Sequence, residues 1–398
     1  MPKLLQINVS ANWGSTGIIA EQISIEASRR GWDCYVAYGR HFNPSSSKLL
    51  KVGNQLDVYC HYIENRLFDS EGLGSRIHTY KLISRIKEIQ PDLIHLHNIH
   101  DHWINYRILF KYLNKTDIPI VWTFHDFWAI TGHCAHFISV NCDKWQHECG
   151  DCPLNKSLID MSRRNFILKK ELFSQNTRLH VVAVSEWVAG LTRRSFLGDK
   201  DIRVIPNGIN VNVFNSRQHI RGEDLFCGKF VIMGVASQWK RGKGLDDYIK
   251  LSCLLKDDEI IVLVGVNESV KRILPHNIYG VNRTNSHDEL AALYSRADVV
   301  TSFSSAETFG LTVIESYACG TPVVVYDNSA HPFLVAEDTG YVVPNGSYKA
   351  AYQAIQQIRQ KGKIQYSKSC RKFVLERYDK DIVYKQYVDM YEDILNKS

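Results

Sequence analysis

Residues 302–325, SFSSAETFGLTVIESYACGTPVVV, carry the reading from which the rest of this chain is understood. They spell the end of a strand, a loop of small residues with Glu307, a Thr-Phe-Gly turn, and a helix carrying Glu315. A β-prone run, Thr321–Val325, follows. Strand, glycine turn, helix and strand together make the repeating unit of a parallel α/β sheet. The turn should aim the backbone N–H groups of Phe309, Gly310 and Leu311 at a ligand. Unpaired donors at a helix N-terminus bind phosphate. Glu307 and Glu315 can then hold hydroxyls on either side of that phosphate. A sugar on one side and a ribose on the other would describe a nucleotide-sugar.

The same alternation runs outward in both directions. Toward the N-terminus, Leu4–Val9, Asp33–Tyr38, Asp92–Ile99, Ile118–Phe124 and Leu179–Ser185 read as buried strands, with helical periodicity over Ile18–Arg30 and Ile77–Ile89. The rhythm restarts at Lys229–Ser237 and continues through helix Gly244–Leu255, strand Glu259–Val266, helix Asp288–Ala297 and strand Asp298–Phe303. Continuous apolar strands separated by helices indicate parallel sheets covered on both faces. The predicted fold is α/β, with two Rossmann-like doubly wound domains facing across a cleft. The N-terminal domain is expected over 1–205 and the C-terminal domain over 206–375. A final helix over 376–398 is expected to pack back on the first domain. Ile205–Arg217, with its Pro and Asn-Gly, is the linker candidate. Ligands of such sheets sit at strand C-terminal ends. That directs attention to the loops Ser10–Gly17, His97–Trp103, His125–Gly132, Ser237–Gly244 and Ser304–Gly310.

Bulk properties narrow the function classes. At 398 residues, two domains are the natural expectation. No apolar run approaches the ~20 residues that span a bilayer. The opening MPKLLQINVS lacks a signal-peptide pattern, so a cytoplasmic protein is expected. A net charge of +6 suits an anionic small ligand or an anionic membrane face, and falls short of a nucleic-acid-binding composition.

With these residues in place, the chain resembles the retaining, nucleotide-sugar-dependent glycosyltransferases of family 4 (glycosyl transferases group 1), which have the GT-B fold. SSAETFGLTVIESYACGTPVVV matches the family's E-x7-E region. VVAVSEW, IPNGIN and Lys243–Gly244 match as well. HLHN and TFHDFWAITGHC look like a subgroup from bacterial exopolysaccharide, capsule and O-antigen gene clusters. The resemblance implies a transferase that moves a hexose-type sugar to a hydroxyl of a glycan or lipid-linked oligosaccharide. It implies no cofactor or catalytic metal, and the absence of a D-x-D motif near the donor site agrees with that. A nucleotide-sugar epimerase, a phosphorylase and a non-catalytic sugar-nucleotide-binding subunit are the competing readings.

The resemblance also assigns residues. Glu315 binds the ribose hydroxyls, and Glu307 binds the transferred sugar. Lys243 neutralises the leaving diphosphate. The family's Arg, five or six residues before that Lys, is absent; Ser237 and Gln238 stand there, and Lys240 or Arg241 are substitutes. His125 faces the transferred sugar, with Asp126 as its orienter or as a contact to the acceptor. Gly14 and Gly17 would let backbone approach a phosphate or the acceptor. His97 and Asn98 are candidate acceptor contacts, with a structural role as the alternative.

Two further segments stand apart. Cys134, Cys142, Cys149 and Cys152 fall within 19 residues and end in C-x-x-C. They are candidate ligands of a structural zinc, with His133, His136 or His147 as substitutes, or else reduced packing cysteines. Ser162–Leu172, SRRNFILKKEL, with Arg193–Phe196, is a candidate for peripheral contact with the inner membrane face, or a charged surface helix.

Overall fold

The computed structural model describes residues 1–216, 226–239 and 242–397. The chain divides into two compact units, Met1–Pro206 with Val383–Ser398, and Asn207–Ile382. Arg217, the last residue of the linker candidate, lies outside the described residues, as do Lys240 and Arg241.

The N-terminal unit is a seven-stranded sheet in the order β3-β2-β1-β4-β5-β6-β7. Its strands are β1 (Lys3–Asn8), β2 (Asp33–Tyr38), β3 (Lys48–Lys51), β4 (Leu93–Leu96), β5 (Ile120–Phe124), β6 (Leu179–Ala183) and β7 (Asp201–Val204). Every pairing is parallel. The helices that connect them include α1 (Gly14–Arg29), α2 (Gln55–Phe68), α3 (Arg76–Ile89), α4 (Tyr106–Leu113), α5 (Ser162–Ser174) and α6 (Glu186–Arg193). The order reverses between β1 and β4, so the loops after those strands flank the topological switch point, where such sheets bind ligands.

The second unit repeats the plan with six parallel strands, ordered β10-β9-β8-β11-β12-β13. They are β8 (Phe230–Val235), β9 (Glu259–Val264), β10 (Ile278–Val281), β11 (Val299–Ser302), β12 (Val323–Tyr326) and β13 (Gly340–Val343). The connecting helices are α7 (Leu245–Ser252), α8 (Glu268–Lys271), α9 (His287–Arg296) and α10 (Leu311–Ala318), followed by α11 (Tyr348–Lys361) and α12 (Ile364–Arg377). Here the switch point lies between β8 and β11, and the loops beyond them carry Lys243 and Glu307.

α12 ends at Arg377, and α13 (Lys380–Lys397) belongs from Val383 onward to the N-terminal unit. Val383, Tyr384, Tyr387, Val388, Tyr391 and Ile394 recur at helical spacing. They are buried with Leu4, Ile23, Leu93, Val121 and Val182 in one core. The C-terminus of the chain therefore completes the core of its N-terminal sheet.

The basic stretch expected to face a membrane is amphipathic, with Arg163, Arg164 and Lys170 exposed on its outer face. α5 buries Asn165, Phe166, Lys169, Leu172 and Phe173. The Lys169 ammonium donates to the carbonyls of Trp128 at 2.7 Å and Thr131 at 3.0 Å, over the Trp128 ring. Exposed apolar surface also lies on α2 and α3: Leu56, Tyr59, Ile63 and Leu67 form an outward stripe at helical spacing, joined by Ile77 and Tyr80. Among the described residues no helix is long and apolar enough to cross a membrane.

Candidate active site

In the second unit the opening motif is a strand end, a loop and a helix start held by neighbouring loops. α10 begins at Leu311, later than expected. Gly310 is its cap residue, with φ +109°, a conformation L side chains rarely adopt. A Cβ there would come within 3.0 Å of Leu334 and 3.2 Å of His331. Gly310 has no side chain to cap the helix, so the start of α10 is left open to an anionic group. Phe309 lies before the cap and turns its ring into the interior, 5.8 Å from that of Tyr378.

Lys243 is delivered to this motif by two glycines in the left-handed region. Gly242 has φ +95° and Gly244 φ +77°. The Gly242 carbonyl accepts from the Ser305 amide at 2.8 Å. A Cβ on Gly244 would meet Phe303 at 2.5 Å. The turn therefore lies flat on the 303–305 loop, and Lys243 Nζ reaches Glu307 Oε1 at 2.5 Å. Burial disfavours the Glu307 carboxylate, but Lys243 more than offsets this and holds the carboxyl below its usual range. The Glu307 amide donates to Ser329 Oγ at 2.9 Å and its carbonyl accepts from the Ala330 amide at 3.1 Å. Both main-chain bonds tie the acid to the loop after β12.

Glu315 has the opposite electrostatics. Its Oε2 accepts from the hydroxyl of buried Tyr294 at 2.9 Å. Burial pushes its carboxyl up to about 7, against which the Tyr294 bond works only weakly. Two acids eight residues apart thus differ in charge near neutral pH because one has a lysine and the other a phenol.

His331, Ser329, Gly242 and Tyr294 complete this site, and sequence reading did not find them. His331 is fully buried, with Nε2 3.3 Å from Ser302 Oγ and Nδ1 without a hydrogen-bond partner. Burial pushes its imidazole down to about 4. The left-handed glycines could have been suspected from G-K-G; the histidine in NSAHPF carries no sequence signal.

In the N-terminal unit the predicted residues gather around the ends of β1, β4 and β5. Gly17 is not in a loop: it sits in the first turn of α1, and a Cβ there would come within 2.9 Å of Ser10 Oγ. It permits close packing of α1 on the β1 loop, so it does not serve as the loop glycine expected. Gly14, with φ +66°, opens the helix. Asn8 joins the two switch-point loops: its Nδ2 donates to the Ser10 carbonyl at 2.7 Å, and its Oδ1 accepts from the Asn98 amide at 3.2 Å.

His97, expected as an acceptor contact, is 1% exposed and bonded on both ring nitrogens, to His125 and to Gln6. It is internal and cannot touch an acceptor directly. Asp126, expected to orient His125, is engaged elsewhere. Its carboxylate takes His100 Nε2 at 2.8 Å and the Trp128 amide at 2.9 Å. Glu71 lies 3.6 Å from the other nitrogen of His100. Burial opposes the His100 charge, yet the two carboxylates raise its pKa to about 10; they are themselves held near about 2. The triad's stabilisation is present between these limits, lost as pH rises through about 10 or falls through about 2. His125 stays neutral, with burial lowering it to about 4 against the pull of Asp126.

The cysteine cluster is compact. Cys134, Cys142, Cys149 and Cys152 line one small cavity with Phe137 and Trp145. Among the described residues no three His, Cys, Asp or Glu side chains are grouped so as to hold a metal ion. The proposed ligands have other partners: Cys149 Sγ accepts from the Gly132 amide at 3.3 Å, and His133 bonds Asp69. Cys134 and Cys152 share a hydrogen bond that keeps the proton on Cys134 and draws Cys152 down to about 6.

The model of Glycosyltransferase Family 4 matches residues 17–213, and that of Glycosyl transferases group 1 matches residues 216–374. The chain belongs to this glycosyltransferase family. WcaC of Escherichia coli K12, assigned to colanic acid biosynthesis, is 22% identical over 85% of this chain and 87% of its own. The GT-B fold is shared with the sucrose-phosphate synthase (tll1590) of Thermosynechococcus elongatus, with a TM-score of 0.75, 17% identity and full coverage of both chains. It is shared too with Anabaena Alr3699/HepE in complex with UDP-glucose, with a TM-score of 0.65, 15% identity and coverage of 98% and 99%. This family member is a glycosyltransferase whose two α/β units each present residues at a switch point.

Proposed function

We propose that this glycosyltransferase is retaining and metal-independent, and that it moves a hexose-type sugar from a nucleoside-diphosphate donor to a hydroxyl of a glycan or lipid-linked oligosaccharide in surface polysaccharide synthesis. The observation that carries this reading is the Lys243–Glu307 pair beside the open start of α10. Without donor, the ammonium and carboxylate neutralise each other. A diphosphate laid against the Gly310–Leu311 helix start offers Lys243 a stronger anionic partner. Glu307 is then released to accept from sugar hydroxyls. Glu315, near neutral pH partly protonated, takes the ribose hydroxyls and ionises as it does so.

The UDP-glucose complex of the HepE relative supports a nucleotide-sugar donor, and the colanic acid assignment of WcaC supports a polysaccharide product. In the reaction proposed, the bond between the anomeric carbon and the diphosphate oxygen breaks. The acceptor oxygen bonds that carbon on the same face, and its proton passes to the leaving diphosphate. Lys243 and the helix start stabilise the departing charge, so the positive charge comes from the protein. His125 of the N-terminal unit holds a hydroxyl of the transferred sugar.

A thermal-shift screen against UDP-, GDP-, dTDP- and ADP-sugars tests the donor, because a ligand bound to the native state raises the melting temperature. Donor hydrolysis with and without Glu307→Ala then tests the chemistry. Binding without hydrolysis or transfer, and with no effect of Glu307→Ala, would leave a non-catalytic subunit. For a lipid-linked acceptor, the membrane-facing surface we propose is α2 and α3. There the apolar stripe lies beside exposed Arg66, Arg76, Lys81 and Arg85. Flotation with anionic vesicles should weaken on Leu56→Asp with Ile63→Asp and be unaffected by Arg163→Ala in α5.

A further inference from the structure

A chain of buried polar side chains runs from α1 to His125, and its direction can be read from one end. Gln6 on β1 is fully buried, and its Nε2 lies 2.7 Å from the Ala20 carbonyl and 2.7 Å from Ser24 Oγ. A carbonyl only accepts, so the NH2 of Gln6 must face α1 and its Oε1 must face the sheet centre. His97 Nε2 lies 2.8 Å from that oxygen and therefore carries a proton.

His97 is a neutral imidazole. It is buried, the ring of His95 lies 4.0 Å from its own, and His125 stands on its other side. His95 is itself fixed, with Nδ1 2.6 Å from the Tyr391 hydroxyl and Nε2 2.8 Å from Thr123 Oγ1. Desolvation in this stack holds His97 well below its ordinary pKa. A neutral imidazole has one N–H, so His97 Nδ1 is a bare acceptor. It faces His125 Nε2 at 3.1 Å. Two bare nitrogens would forfeit that bond, so His125 Nε2 donates. The remaining His125 nitrogen, Nδ1, is then unprotonated, and His125 is the half-buried end of the chain.

We propose that Gln6, acting through His97, fixes His125 in its Nε2–H tautomer, so that His125 meets its ligand as a hydrogen-bond acceptor at Nδ1. The inference deepens the reading in which His125 holds the transferred sugar and rests on it for the identity of the ligand. It adds a specificity rule: the sugar must present a hydroxyl that donates at the contacted position. A donor sugar with fluorine or methoxy there would lose the bond, although fluorine is nearly the same size. Gln6 and His97 are positioning residues, since neither touches the ligand.

The test is a long-range 1H–15N correlation spectrum of the full chain labelled in histidine, with the His125 signals assigned by their loss in His125→Asn. The expected result is an Nε2–H tautomer for His125 and for His97. An Nδ1–H His125 in the wild-type protein would overturn the proposal, as would an unchanged His125 tautomer in Gln6→Met. Because Gln6→Met opens a buried network and risks misfolding, a second pair of variants is independent of it. His97→Asn places an amide oxygen near the former Nδ1 and should preserve the His125 tautomer. His97→Gln places its amide near Gln6 and should lose it, with a roughly 10-fold greater fall in kcat/KM than His97→Asn. Equal falls with equal spectra would count against the chain. His125→Ala with undiminished donor turnover would instead remove the sugar-binding reading, while the tautomer result stood on its spectra.

Discussion

The two units solve the same topological problem with different chemistry. At the switch point of the C-terminal unit, function rests on short loops: left-handed Gly242, Gly244 and Gly310 place a lysine, a carboxylate and a helix start together. At the switch point of the N-terminal unit, function rests on a buried stack. Gln6, His97, His95 and the Tyr391 hydroxyl converge from β1, β4 and the last helix of the chain. The first arrangement is built to exchange partners when an anion arrives, because its charged groups neutralise each other while still partly accessible. The second is built to stay fixed, because each polar atom in it has a committed partner.

Perturbing each unit should expose that contrast. The largest effect expected is on the fixed unit: Tyr387→Ala removes a fully buried aromatic ring of α13 and should cost about 3–5 kcal/mol of stability. Denaturant unfolding followed by a probe in the N-terminal unit measures it; a loss below ~1 kcal/mol would mean that α13 is not part of that core.

Next is the exchanging pair. Glu307→Ala should lower kcat by about 100- to 1,000-fold while changing the melting temperature little, as for other electrostatic stabilisers of a transferring group. Lys243→Ala should multiply that loss, since with donor bound the lysine holds the diphosphate and the glutamate the sugar. Steady-state kinetics of the double variant decides; a loss no larger than that of Glu307→Ala alone would show that the two act as one unit.

A smaller effect concerns Glu315. Its carboxyl is near 7 in the folded protein against an ordinary value of 4.5, so the unfolded chain ionises first as pH rises. The penalty on folding is absent below the ordinary value, grows up to about 7, and is constant above it. Glu315→Gln should therefore stabilise the protein by about 1–3 kcal/mol at pH 8 and hardly at all near pH 4.5. Melting temperatures across that range provide the readout, and a pH-independent difference would contradict it. The smallest expected signal is from the cysteine module: metal analysis of purified protein should find less than about half an equivalent of zinc, with its thiols titratable. A full equivalent would show that the sulfurs close around a metal.

What could be read directly differed between the units for a physical reason. Glu307, Lys243 and Glu315 lie in short glycine-containing segments whose own spacing was informative, although Lys243 and Glu307 are 64 residues apart. The partner of His97 is 91 residues away and that of His95 is 296 away. No local pattern encodes such pairings. Asp126 was misread for the same cause: adjacency in sequence suggested His125 as its partner, but in the bend after β5 its carboxylate meets His100. In α5, basic composition hid the buried face on which Lys169 sits, and composition alone cannot tell a buried lysine with carbonyl partners from a solvated one.

By itself, the amino-acid sequence determined the alternation of apolar strands and helices, the two doubly wound units, and the glycine-turn helix start of the motif at 302–325. These follow from periodicity and glycine placement, which are local. The tertiary structure alone decided which carboxylate is charged and which is partly protonated near neutral pH, and which nitrogen of His125 carries the proton. Those depend on burial and on contacts between distant segments, which set desolvation and hydrogen-bond direction and exist only once the sheets have closed.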